Sequence, residues 1–123
     1  MCDVRLLALI LCISGLLFAA KEVEGNFTIR FETNAKLQTD VEVPFTVRIT
    51  DDRKRPLEQN AHVEMSIAPE NREPIKTIRA WYVGPGEFIA KPVFPSEGQW
   101  MLTVTARRAN QVTSRAITFS VTQ

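Results

Sequence analysis

The sequence predicts an all-β fold, on three observations. Apolar and polar residues alternate with a period of two in successive stretches from Asn26 onward. Clusters of turn-forming residues separate these stretches: DDRKRPLEQN, APENREP, VGPGE, PSEGQ and RRANQ. Beyond the N-terminal segment, no window carries apolar residues at helical spacing over three turns.

Each strand follows from its own parity. NFTIRFE places Phe27, Ile29 and Phe31 on one face. In LQTDVEVPFTVRIT, Leu37, Val41, Val43, Phe45, Val47 and Ile49 share one parity and face the core. Pro44 sits on the other parity and has no N–H, so pairing starts at an edge or only after it. AHVEMSI turns Ala61, Val63, Met65 and Ile67 inward and His62, Glu64 and Ser66 outward. PIKTIRAWYV and FIAKPVF are apolar on both parities, which leaves their orientation open. WMLTVTA buries Trp100, Leu102, Val104 and Ala106, with Met101 outside. TSRAITFSV aligns Arg115, Ile117, Phe119 and Val121. Between strands, Gly84 and Gly86 flank a proline in a tight reversal where at least one residue takes positive φ. These stretches describe a seven-stranded immunoglobulin-like antiparallel β-sandwich.

The chain has 123 residues, room for one domain, and a formal net charge of +1, which offers nucleic acid no electrostatic hold. Ahead of the sandwich, a short segment holding Arg5 precedes an apolar run from Leu6 to Ala20, a hydrophobic helix with the make-up of a secretory signal. The expected organisation is a signal peptide over residues 1–25, cleaved after Ala20 or Gly25, and a domain over 26–123. Left uncleaved, the same run is a membrane anchor, the one route to membrane contact. Cys2 and Cys12 both lie in this segment, and Leu11 before Cys12 argues against lipid modification there. The expected product is a secreted or periplasmic monomer without disulfides, held by packing alone.

Between Phe45 and Val121, two blocks stand out: FTVRITDDRKRPLEQNAHVEMSI and GPGEFIAKPVFPSEGQWMLTV. In their basic-Pro-apolar turn, A-x-V strand and G-x-W-x-L-x-V ending, they resemble the YtkA-like family of envelope β-sandwich domains, related in pattern to FixH-type proteins. The same glycine and aromatic block resembles filamin-like and other bacterial immunoglobulin-like repeats. The YtkA-like resemblance implies a non-enzymatic exported module acting through an envelope or extracellular protein, and, as its alternative, an accessory in copper handling. This chain departs from the copper-linked pattern, because the loop APENREPIKT holds no Met, His or Cys.

The residues for chemistry are few. His62 is the one histidine, with Glu64 placed to orient it, and no serine sits in a G-x-S-x-G elbow, so catalysis by a triad is not expected. No cofactor is called for. His62 and Met101 are the candidate metal ligands; His62 and Met65, three apart on a strand, point to opposite faces and do not chelate together. Asp51 and Asp52 read as a solvated turn with local charge pairing. Arg30, Arg48, Arg107 and Arg108 are candidates for a basic patch on one outer face. NFT at Asn26–Thr28 fits a glycosylation sequon. The polar connection DDRKRPLEQN, with Arg53, Lys54 and Arg55, is the expected interaction loop.

Overall fold

The computed structural model describes residues 22–123. The hydrophobic helix expected over Leu6–Ala20 lies within residues 1–21, outside the described residues. Among the described residues there are nine strands: β1 (Val23–Glu24), β2 (Thr28–Glu32), β3 (Phe45–Thr50), β4 (His62–Pro69), β5 (Lys76–Arg79), β6 (Trp81–Gly84), β7 (Glu87–Ala90), β8 (Gly98–Arg108) and β9 (Gln111–Val121). No helix among them is long and apolar enough to cross a membrane.

The strands form two sheets, ordered β1-β9-β8-β4-β5 and β2-β3-β7-β6. Taken in chain order, the second is the A-B-E-D sheet of an immunoglobulin-like sandwich, and β9-β8-β4 is its G-F-C sheet with β5 added beyond C. Two features raise the expected seven strands to nine. The stretch PIKTIRAWYV breaks at Ala80 into β5 and β6, which lie in different sheets. Upstream, Val23 and Glu24 pair with Gln111 and Val112, and this pairing is parallel, so the sandwich is not wholly antiparallel. Cleavage after Ala20 keeps β1 on its sheet, whereas cleavage after Gly25 removes it.

The alternation sets the core as the sequence implies. Phe27, Ile29 and Phe31 from one sheet face Val63, Met65 and Ile67 from the other, all buried. Phe31, Phe45 and Phe119 cluster with centroids 5.4–6.4 Å apart, Phe45 edge-on to Phe119 and Phe31 tilted against both. Trp100 lies 5.6 Å from Phe94, and its Nε1–H donates to the Ser96 carbonyl at 2.9 Å. β3 begins after Pro44, but an isolated bridge between Glu42 and Val93 already pairs the chain before it. Val41, expected inside, is exposed, because Asp40 just before it takes φ 63° and breaks the alternation.

The four arginines do not make one patch. Arg30 and Arg48 pair across β2 and β3 in one sheet, while Arg107 and Arg108 end β8 in the other. Arg107 Nε donates to Glu22 Oε2 at 2.7 Å, and the Arg108 guanidinium sits 5.3 Å over the Phe27 ring.

Candidate functional site

The expected interaction loop is an ordered turn built around one carboxylate. Asp51 is buried, 3% exposed, which corrects the reading of a solvated residue. Its Oδ1 accepts the backbone N–H groups of Arg53 and Arg55, both at 2.9 Å, and Lys54 between them takes φ 63°. Arg55 Nε reaches Asp51 Oδ2 at 3.3 Å, so one of the three expected contact residues is tied into the turn. Arg53, Lys54 and Arg55 remain exposed at its rim.

The N–H of Arg55 holds the Asp51 carboxyl below its ordinary pKa; burial opposes this, and the Arg53 N–H and the Arg55 and Arg108 charges support it. A carboxylate lowered in the fold contributes stability that is complete above its unfolded pKa, about 4, and is lost as pH falls through the lower folded value. Asp51→Asn keeps an oxygen for the two N–H groups and removes the titration. Its urea midpoint should therefore fall less steeply than the parent's as pH drops below about 4. Midpoints that fall in parallel would contradict this.

His62 and Met101 stand apart. His62 is paired with Arg107 across β4 and β8, and Met101 with Ala68, six steps further along the ladder. At the rise of an extended strand this is about 20 Å, too far to share an ion. His62 Nε2 instead meets Glu64 Oε1 at 3.0 Å, and Glu64 Oε2 meets Arg107 Nη1 at 3.5 Å. Met65 is buried in the core on the opposite face from His62. Among the described residues, no three His, Cys, Asp or Glu side chains cluster at metal-binding spacing.

An unpartnered apolar surface lies elsewhere, on the side where β5 passes into β6. Consecutive in the chain, these strands edge opposite sheets, and the chain crosses between the sheets at Ala80, whose N–H bonds Val63. In β6, Tyr82 turns inward onto the Phe88 ring at 5.5 Å. Trp81 and Val83, on the other parity, face out at 70% and 52% exposure. Ile75, just before β5, is 54% exposed, and Val93, in the segment after β7, is also exposed.

A groove of about 460 Å³ opens here between the sheets, lined by Ile75, Ile78 and Val93 with Met65 and Ile67 at its floor. A second, shallower hollow over Trp81, Val83 and Ile89 adjoins it, the two meeting at the charged residues Glu42 and Lys91. Sequence reasoning missed these residues. Their signal is that PIKTIRAWYV is apolar on both parities, which a half-solvated edge segment does not need.

No family model matches the sequence, and no curated protein is significantly similar to it. Solved structures are similar in fold. An engineered protein has a TM-score of 0.53 at 17% identity, over 78% of this chain and 20% of its own, so this chain spans one fifth of that protein. The ZirS C-terminal domain has a TM-score of 0.50 at 12% identity, over 100% of this chain and 87% of its own. The CARDB domain of a Pyrococcus furiosus protein, in complex with di-metal ions, has a TM-score of 0.48 at 13% identity, over 91% of this chain and 100% of its own. The first two likenesses speak to architecture alone. By strand order and sheet pairing, the chain is an immunoglobulin-like β-sandwich.

Proposed function

We propose that this chain is an exported, non-enzymatic YtkA-like module that binds another envelope or extracellular protein through the side of its sandwich carrying β5 and β6. The observation that supports this most is Trp81, a large ring left 70% exposed beside Val83, in a hollow that adjoins an apolar groove. Apolar residues scattered singly over a surface are ordinary, whereas a cluster of them, anchored by tryptophan, has the make-up of a protein-binding site. The non-enzymatic reading is supported by His62, whose ring is held by Glu64 on a sheet face with Arg107 beyond. Export rests on the Leu6–Ala20 run.

Photochemical cross-linking tests this. A benzophenone side chain at Val83, in the cells that export the protein, should give one dominant adduct, while the same group at Lys54 gives none. An adduct from Lys54 alone would return the site to the loop, and diffuse products from both would show no specific partner.

A further inference from the structure

The edge that β5 presents carries more information than its apolar neighbours. Resting on the reading that this side is the working surface, we infer that it takes its partner as an added strand, an extended segment alternating apolar and acidic side chains.

The backbone is open for this. Ala80 N–H donates to Val63 on β4 at 2.9 Å, and alternate residues of an antiparallel strand bond to alternate sides. Ile78 and Ala80 therefore turn their N–H and C=O groups to β4, and those of Thr77 and Arg79 point away from it, along the free edge. A strand laid there finds two residues ready to pair.

The side chains specify the chemistry. Ile78 and Lys76 lie across from the buried Met65 and Ile67, so their parity faces the inter-sheet groove. Thr77 and Arg79 lie across from Ser66 and Glu64 on the outer face. Every second side chain of an added strand thus enters the groove beside Ile75, Ile78 and Val93 and is best apolar. The charges at this edge are mostly positive: Lys76, Arg79 and Lys91, against Glu42 and, across from Arg79 on β4, Glu64. Among the described residues, no carboxylate lies within 4.0 Å of these three cations. Acidic residues of the added strand, on its outer parity, complement Arg79 directly, while Lys76 and Lys91 line the groove and add positive field at its mouth.

The same charges argue against a second copy as the occupant. Two β5 edges paired together crowd two Lys76 and two Arg79 side chains within about 10 Å, inside one screening length. Edge cations of this kind block self-pairing and leave an acidic strand welcome.

Three nine-residue peptides test the inference on the full chain: alternating Val and Glu, alternating Val and Lys, and the Val–Glu composition in two blocks. The alternating acidic peptide should bind at least about tenfold more tightly than the others, and it should slow hydrogen exchange at the Thr77 and Arg79 amides. Thr77→Pro removes an N–H that β4 does not use, so it should abolish this binding while leaving the melting temperature near the parent's. Lys76→Glu with Arg79→Glu should move the preference to the Val–Lys peptide, a readout that stands even if Thr77→Pro fails to fold. Equal binding of acidic and basic peptides, or an unmoved preference in the charge-reversed protein, overturns the inference. If the Val83 adduct still forms in that protein at full yield, the working surface survives and only strand addition is lost. If no Val83 adduct forms in the parent, the surface itself is wrong.

Discussion

Trp100→Ala is expected to destabilise the domain by about 3–5 kcal/mol, the cost of deleting a buried indole. The ring is 2% exposed, packs on Phe94 at 5.6 Å and anchors the Ser96 carbonyl, so alanine leaves both a cavity and a lost hydrogen bond. Total stability for a domain of this size is about 5–15 kcal/mol, so the loss is a large share of it. The melting temperature should fall by more than about 12 °C. A fall of less than about 3 °C would mean that the ring carries little of the core.

Gly86→Ala should cost about 2–3 kcal/mol, though it adds only a methyl group. Gly86 has φ +71°, where a side chain is strained, and a Cβ there would meet the Pro56 Cβ at 2.8 Å and the Ile49 carbonyl at 3.1 Å. Neither neighbour is free to retreat. Ile49 O accepts the Leu57 N–H, Gly86 O accepts the Ile49 N–H, and Gly86 N–H donates to Leu57 at 2.7 Å, so turn and loop are stitched together. Gly84, two residues earlier, has open space where its Cβ would go and no positive φ, so Gly84→Ala should change stability by less than about 0.5 kcal/mol. Urea unfolding of both variants gives the contrast, and equal losses would contradict it.

Where a strand is buried on one face only, its parity can be read, and Phe27 to Phe31 and Ala61 to Ile67 lie as their alternation predicts. The same rule fails where the chain leaves one ladder for another. From Ile75 to Val83, residues before Ala80 serve one sheet and those after it the other, so no single parity describes the run. The outward residues there are also apolar, which hides the strand's orientation and at the same time marks the surface. Asp51 misleads for a different reason. In DDRKR it reads as one more solvated charge, but its neighbours' backbone N–H groups, joined by the Arg55 guanidinium, hold it in a packed turn. A carboxylate two and four residues before the N–H groups it accepts is a turn nucleus, and only the fold shows that the turn is packed down.

Trp81 is the residue on which the account of function turns, and the Val83 cross-link measures it most directly. Trp81 is 70% exposed and lies outside the buried core, so Trp81→Ser should melt within a few degrees of the parent. If the ring anchors the partner, its loss should cut the yield of the Val83 adduct about 30-fold at subsaturating partner, the effect of a 2 kcal/mol contact. An undiminished adduct in a folded Trp81→Ser protein would contradict the assignment of this side as the binding surface.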